Sequence, residues 1–242
     1  MKRCGILGVV AVLAAMGAAS AAEPEPGFVS MFNGVDLSGW EGKPGGWWVE
    51  DGAITSQSTE DKPCVKHHYL FWQGGTPADF VLRFKYRIEG GNSGVQFRSK
   101  RKPDYDTWGY QADIEAGAQW TGCLFQHDRG GVVMRGKRAT ISREGARQEE
   151  EFAPGEELQK AIKPNAWNDY EVTAEGSRIT LRINGRLMCE VDDRDEKMAC
   201  HSGIIALQMH PGPPMKVQFK DLRIKVLKPG AQGGEPAEAP AP

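Results

Sequence analysis

Apolar and polar residues alternate along several stretches of this chain, which is the pattern of half-buried antiparallel strands. Residues 178–185, RITLRING, alternate in this way and end in Asn184-Gly185, a dipeptide typical of two-residue hairpin turns. The longest example, residues 79–89, has charged residues on one face and apolar side chains on the other: Phe80, Leu82, Phe84, Tyr86 and Ile88. The alternation therefore predicts strands that are joined by tight turns.

Two segments modify this pattern. In residues 215–227, MKVQFKDLRIKVL, the apolar parity changes at Lys220-Asp221, which predicts a β-bulge. In residues 154–164, PGEELQKAIKP, early glutamates, late lysines and flanking prolines predict the one short helix. Regularly spaced strands with almost no helix predict an all-β fold, namely a two-sheet antiparallel β-sandwich with one short helix.

Strand parity also predicts which polar side chains share a face of the sandwich. Residues 92–98, 109–117 and 203–210 each carry a polar row opposite their apolar residues. If these strands are neighbours, the rows form one polar face, which we call the platform. Each row combines amides with a charged or titratable group: Asn92, Gln96 and Arg98; Gln111, Asp113 and Glu115; Gln208 and His210.

The platform also has a purely structural interpretation, because antiparallel sheets commonly leave one polar face in solvent. Asp113 and Glu115 would then pair with a neighbouring arginine for little net stability. His210 precedes PGPP and would simply end a strand. The sequence offers no partner for His67 or His68.

Three more residues are candidates for binding next to the platform. His127 lies in a loop, FQHDRGG, that could border it. The tryptophans are expected mostly in the core, but Trp108 and Trp120 flank the acidic strand and are the sugar-stacking candidates.

The two ends of the chain are set apart from the fold. Residues 1–22 combine a basic start, an apolar run and small residues, the features of a secretory signal peptide. The apolar run is too short and too alanine-rich for a membrane span. Residues 23–27 form a polar leader, and residues 228–242 form a Pro/Ala/Gly tail expected to be disordered. One domain, residues 28–227, is therefore expected in the periplasm or outside the cell.

The charge balance bears on the possible partners, and the cysteines bear on possible disulfides. Lys and Arg number 30 against 32 Asp and Glu, a net charge of -2 without long blocks, which gives no support to nucleic-acid binding. Cys64, Cys123, Cys189 and Cys200 remain after the signal region and admit three full pairings. Cys189 and Cys200 bracket an acidic loop, so a disulfide between them is favoured, while Cys123 is expected to pack in the core.

The acidic strand invites comparison with retaining glycosidases of the laminarinase type, whose motif reads E-x-D-x-E. Here Gln111 stands where the first carboxylate would be, followed by Asp113 and Glu115. An amide cannot attack as an anion at neutral pH, so double displacement by the usual pair is disfavoured. A laminarinase-like hydrolase with an altered acidic motif stays as an alternative.

Eight ordered motifs resemble the bacterial 3-keto-disaccharide hydrolase domain family. They run from about Phe28 to Leu227 and are FNGVDLSGW, WWVEDGAI, DFVLRFKYRIEGGNSGVQFR, GYQADIE, WTGCLF, WNDYEVTAEGSRITLRINGRL, GIIALQMH and VQFKDLRIKVL. The resemblance implies a concanavalin A-like jelly roll. It also implies cleavage of glycosides whose C3 hydroxyl has been oxidised to a ketone.

Such a ketone makes the C2 proton acidic and places the glycosidic oxygen β to the carbonyl. A base can then remove the C2 proton, the aglycone leaves by elimination, and water adds afterwards. Among the platform residues we assign His210 as base, Arg98 as oxyanion stabiliser, and Asp113 or Glu115 as proton donor or as the group that orients the base. Substrate contacts are expected from Asn92, Gln96, Gln111, Gln208, Trp108, Trp120 and His127.

Two alternatives stay open at this point. No cofactor is required, but His210, Asp113 and Glu115 form a candidate ligand set for a divalent metal that could polarise the ketone. A lectin-like domain would bind a saccharide on the same face without catalysis. The sequence leaves the sugar, the aglycone and the oligomeric state undetermined.

Overall fold

The computed structural model describes residues 25–228 of the 242-residue chain. The predicted signal peptide, the first part of the leader and residues 229–242 of the predicted tail lie outside these residues. The strands in chain order are β1 (Val29–Ser30), β2 (Trp40–Gly42), β3 (Trp48–Glu50), β4 (Ala53–Ser58), β5 (His68–Trp72), β6 (Asp79–Glu89), β7 (Asn92–Lys102), β8 (Asp106–Glu115), β9 (Leu124–Gln126), β10 (Gly130–Val133), β11 (Lys137–Ile141), β12 (Arg147–Glu151), β13 (Asn168–Glu175), β14 (Arg178–Ile183), β15 (Arg186–Asp193), β16 (Ile204–Met209) and β17 (Met215–Lys228).

These strands form the predicted two-sheet sandwich. The larger, ten-stranded sheet has the order β12-β11-β15-β14-β13-β6-β17-β4-β3, with β1 paired to β17. The smaller, seven-stranded sheet has the order β10-β9-β8-β7-β16-β5-β2. All pairs are antiparallel except β11 with β15. No helix among residues 25–228 is long and apolar enough to cross a membrane.

The core lies between the two sheets and follows the predicted alternation. Along β6, every second residue from Phe80 to Ile88 is buried, as expected. Phe80 meets Phe97 of β7 edge-on with ring centroids 6.0 Å apart, and Phe97 stacks on Tyr110 of β8 at 5.8 Å. Because these rings fill the interior, the polar residues of β7 and β8 are directed to the opposite face.

The predicted turn and bulge are both present. Asn184 and Gly185 adopt φ values of 49° and 77° between β14 and β15, as a two-residue turn of this sequence requires. The register of β17 shifts between Lys220 and Arg223, with Asp221 at φ 54°, so the bulge is confirmed.

The helix and the tail boundary differ slightly from prediction. The helix α1 spans only Gly155–Gln159, within predicted residues 154–164, and buries Leu158. Lys228, predicted to begin the tail, is the last residue of β17.

The predicted disulfide between Cys189 and Cys200 is wrong, because both thiols are free. Cys189 belongs to β15 and is fully buried in the core. Cys200 instead lies against Gln126 of β9, whose side-chain amide donates to its sulfur at 3.3 Å. The acidic segment between them continues β15 to Asp193, so the two cysteines lie in different surroundings. Cys123 is buried, as predicted.

Candidate functional site

A cleft of about 470 Å³ lies on the outer face of the seven-stranded sheet. Its volume falls within the range of about 300 to 1,000 Å³ that is common for small-molecule sites. Strands β8, β7 and β16 lie side by side, as the platform requires. The cleft is lined by His67, Asn92, Gln111, Asp113, Glu115, Trp120, Phe125, His127, Gln208 and His210.

Strand register explains why the predicted residues meet. Asn92 pairs with Glu115 and Gly94 pairs with Asp113 across β7 and β8. On the other side of β7, Leu207 of β16 pairs with Val95, so the following residue, Gln208, lies beside Gly94. Six of the predicted platform residues therefore line one cleft: Asn92, Gln111, Asp113, Glu115, Gln208 and His210.

The surroundings of Asp113 strongly alter the acidity of its carboxyl group. The residue is only 3% exposed. Burial raises the pKa of Asp113 from 3.8 to about 8; hydrogen bonds from Gln111 and Asn92 oppose the rise, and the Glu115 charge adds to it. The carboxyl group is therefore largely protonated at neutral pH.

Glu115 has a different environment although it lies only two residues away. Its Oε2 accepts the backbone N–H groups of Gln119 at 3.0 Å and Trp120 at 2.9 Å. These two bonds fix the loop between β8 and β9. Glu115 thus holds Trp120 at the edge of the cleft.

His210 presents one ring nitrogen for chemistry. Its Nδ1 lies 2.6 Å from the carbonyl oxygen of Pro211. Since a carbonyl oxygen only accepts, Nδ1 carries a proton, which leaves Nε2 as the ring nitrogen that can take one up. The residue is half-buried at the end of β16.

Two further histidines complete the wall of the cleft. His127 lines it, as predicted, and burial lowers the pKa of its imidazole. Sequence reasoning missed His67, whose Nε2 lies 2.9 Å from Asp106 Oδ1 and whose ring centroid is 6.5 Å from that of His127. The parity of β5 held a signal for it, because His68 and Leu70 face the core and leave His67 on the cleft side.

Of the two tryptophans predicted to stack on a sugar, only one lines the cleft. Trp120 lines the cleft and meets Phe125, which sequence reasoning missed, edge-on at 6.2 Å. Trp108 does not line the cleft, because its indole packs against the core and donates to Asp128 Oδ2 at 2.8 Å. Its predicted stacking on a sugar has no support from this position.

Gln96 does not line the cleft either. It is fully buried beside the cleft and donates from Nε2 to Gln111 Oε1 at 2.8 Å. Gln111 and Gln208 do line the cleft.

The predicted position of Arg98 on the platform is wrong. A bulge shifts the register between Phe97 and Lys100, and Arg98 adopts φ 47°. Its side chain, 1% exposed, bonds instead to the carbonyl oxygens of Ala78 at 2.7 Å and Gly176 at 2.8 Å. It also forms an ion pair with Asp79 at 2.9 Å. Parity inverts at a bulge, so the alternation that placed Arg98 on the platform no longer applied.

The candidate metal ligands do not converge. Within residues 25–228, no group of three or more His, Cys, Asp or Glu side chains is arranged to hold a metal ion. His210, Asp113 and Glu115 share the cleft without forming such a set.

Comparison with known proteins agrees with this fold. Residues 27–225 match the model of a family described as the 3-keto-alpha-glucoside-1,2-lyase-like domain. No curated protein matches the chain. A crystal structure from Parabacteroides distasonis, provisionally described as a glycosyl hydrolase, is 17% identical with a TM-score of 0.54, over 83% of this chain and 99% of that one. A carbohydrate-binding module from Bacillus subtilis is 17% identical with a TM-score of 0.51, over 77% and 95% of the two chains. At such identity these structures support the jelly-roll fold.

Proposed function

This chain belongs to the 3-keto-alpha-glucoside-1,2-lyase-like domain family, and we propose that it is an exported enzyme that cleaves 3-keto-glycosides by elimination. The observation that carries the proposal is the cleft itself. It combines a histidine with a free ring nitrogen, His210, and a carboxyl group that is protonated at neutral pH, Asp113. Elimination from a 3-keto-glycoside needs one group of each kind.

In the first half of the reaction, His210 Nε2 takes the C2 proton. The electron pair of the C2–H bond moves toward the C3 carbonyl to form an enolate. As the carbonyl reforms, C1 and C2 become doubly bonded and the bond from C1 to the glycosidic oxygen breaks. Asp113 gives its proton to that oxygen, so the aglycone leaves as a neutral alcohol.

Water completes the reaction by adding to C1 of the resulting enone. The Asp113 carboxylate takes a proton from this water, and the protonated His210 returns a proton to C2. Both groups regain their starting protonation, and the sum of the two halves is hydrolysis of the glycoside.

Neutral hydrogen-bond donors take the role of oxyanion stabiliser, which the sequence had assigned to Arg98. No lysine or arginine is among the residues that line the cleft. The Asn92 amide lies in the same cleft, and one N–H of Gln208 is left after the other is donated to Tyr69 Oη at 2.9 Å. These amides are suited to hydrogen-bond the C3 oxygen as charge develops on it.

The decisive experiment incubates the mature domain with 3-keto-trehalose or 3-keto-sucrose in deuterated water and follows the sugars by NMR. Free sugar with deuterium at C2 is expected. His210→Gln should slow turnover by about 100-fold or more. His201→Gln is the matched control, because His201 is exposed and outside the cleft. Wild-type turnover in His210→Gln would overturn the assignment of the base.

A non-catalytic saccharide-binding domain is the second candidate. It is favoured by the aromatic wall of Trp120 and Phe125 beside cleft amides, and one similar structure is a carbohydrate-binding module. Saturable binding of the same saccharides without C2 labelling would support this function and overturn the lyase. The laminarinase-like alternative gains no nucleophile at the Gln111 position, because Gln111 Oε1 accepts a hydrogen bond from Gln96 and acts as an ordinary amide oxygen.

A further inference from the structure

A directed chain of hydrogen bonds runs beside the cleft and ends at Asp113. Ser99 Oγ donates to Gln96 Oε1 at 2.7 Å, and Gln96 Nε2 donates to Gln111 Oε1 at 2.8 Å. Gln111 Nε2 then donates to Asp113 Oδ1 at 2.7 Å and to Gln208 Oε1 at 3.2 Å. Because Gln111 Oε1 accepts from Gln96, its NH₂ group faces the other two residues. Both N–H bonds of that group are in use.

The backbone leaves space for this arrangement at Gly94. Gly94 pairs with Asp113, next to Gln208 of β16. A Cβ atom at Gly94 would lie 2.5 Å from Gln111 Cγ and 2.7 Å from Gln111 Nε2. A methyl group there would therefore displace the Gln111 side chain without removing any hydrogen-bonding group.

We propose that Gln111 is a positioning residue that binds Asp113 through Oδ1 and leaves Oδ2 of that carboxyl group to the cleft. Its role rests on the function proposed above, in which Asp113 gives a proton to the leaving oxygen. With Oδ1 occupied as an acceptor, the proton of the neutral acid is carried by Oδ2. Gln96 and Ser99 act on Asp113 through Gln111. The sequence had assigned Gln96 and Gln111 to substrate contacts, and this arrangement gives both a different role.

The other titratable groups around Asp113 do not supply such a contact. No lysine or arginine lines the cleft, and the guanidinium of Arg135 donates to the backbone oxygens of Ala118, Thr121 and Gly155. Tyr170 donates to the backbone oxygen of Asp113 and not to its carboxyl group. The groups that share the cleft or the adjacent core with Asp113 are Glu115 of β8, Cys123 before β9, His127 after β9, His67 and Tyr69 at β5, His210 after β16, and Tyr170 of β13.

The test titrates Asp113 directly, without substrate. Carbon NMR of protein labelled at aspartate carboxyl groups follows the Asp113 signal between pH 5 and 10, with Asp113→Asn used for assignment. Gln111→Met keeps the length of the side chain but removes both donors. Loss of these donors should raise the midpoint of the Asp113 titration by about one to two pH units, because the carboxylate loses a charge-assisted hydrogen bond.

Two further variants separate positioning from general damage to the fold. Gly94→Ala should shift the midpoint in the same direction as Gln111→Met, although it removes no donor. Gln218→Met is the matched control, because Gln218 is a buried, hydrogen-bonded glutamine in the other sheet. This control should leave the Asp113 midpoint unchanged even if it lowers stability.

The outcomes are distinct from those of the lyase assay. Unchanged Asp113 midpoints in both Gln111→Met and Gly94→Ala would overturn the positioning role, even for an active enzyme. If the protein turned over no 3-keto-glycoside but the midpoints shifted, the lyase would fail and the hydrogen-bonding role of Gln111 would stand. In an active enzyme, the alkaline limb of the pH–rate profile should move upward with the midpoint in both variants.

Discussion

At the scale of single residues, Asp113 and Glu115 show how environment divides two carboxyl groups on one strand. Asp113 is buried among amides with no cation to compensate it, so burial holds its pKa high. Glu115 accepts two backbone N–H groups and anchors a loop. Asp113 therefore keeps a proton that it can donate at neutral pH.

This difference predicts how stability depends on pH. Asp113 keeps its proton up to about pH 8 in the folded chain, against a reference value of 3.8 for an unperturbed aspartate. The folded state thus binds the extra proton between these values, so the Asp113 contribution to stability falls as pH rises. Asp113→Asn should remove a slope of up to about 1.4 kcal/mol per pH unit.

Urea denaturation of the wild type and Asp113→Asn at several values between pH 5 and 8 measures this slope. Equal slopes in the two proteins would show that Asp113 is ionised in the folded chain. Activity is expected to decline as pH rises through about 8, because the proton donor is lost.

At the scale of elements, the bulge in β7 gives Arg98 a structural role. It turns the side chain toward the start of β6 and the turn between β13 and β14. Removing a buried guanidinium leaves carbonyl oxygens and Asp79 without their partner, so Arg98→Met should lower the free energy of unfolding by about 3 kcal/mol.

The control for this prediction is Arg101→Met. Arg101 pairs with Glu41 at the surface, where both side chains are 40% exposed or more, and its loss should cost less than about 1 kcal/mol. Chemical denaturation compares the two variants. A loss of turnover in Arg98→Met without any loss of stability would contradict the structural role and support a role of Arg98 in the reaction.

The loop between β8 and β9 is held in its conformation by hydrogen bonds to the Glu115 side chain. Glu115→Ala removes the acceptor of the Gln119 and Trp120 amides. Hydrogen exchange at these two amides should accelerate about tenfold, since one hydrogen bond to each is lost. Glu150→Ala, on the exposed strand β12, is the control. Unchanged exchange in Glu115→Ala would mean that the loop is held by other contacts.

At the scale of the whole molecule, the sandwich is closed by packing and hydrogen bonds, with no disulfide among the described cysteines. Besides the core, Tyr110 of β8 and Arg129 both contact Asp193 of β15 and so join the two sheets. The sheets therefore do not depend on covalent links to stay together.

Thiol counting tests this view of the molecule. A chain without residues 1–22 should show four reactive thiols in denaturant, from Cys64, Cys123, Cys189 and Cys200. In the folded state only Cys64 should react quickly, because the other three are buried. Two thiols in denaturant would instead reveal a disulfide.

The sequence determined the parts of this protein that follow from local periodicity. Alternation along β6, β7 and β8 set which side chains face the core, and Asn184-Gly185 and Lys220-Asp221 marked a turn and a bulge. Once β8, β7 and β16 became neighbours, the same parity placed Asn92, Asp113 and His210 in one cleft.

Tertiary structure alone decided the features that arise between distant segments. The bulge that removes Arg98 from the platform has no clear signal in NSGVQFRSK, since it depends on Gly109 of the partner strand, where a Cβ would lie 2.3 Å from Ser99 Oγ. The separation of Cys189 from Cys200 and the pairing of His67 with Asp106 likewise depend on strand order. The acidity of Asp113 depends on burial by the surrounding strands. Local periodicity contains no information about which segments become neighbours, so these features appear only when the sheets assemble.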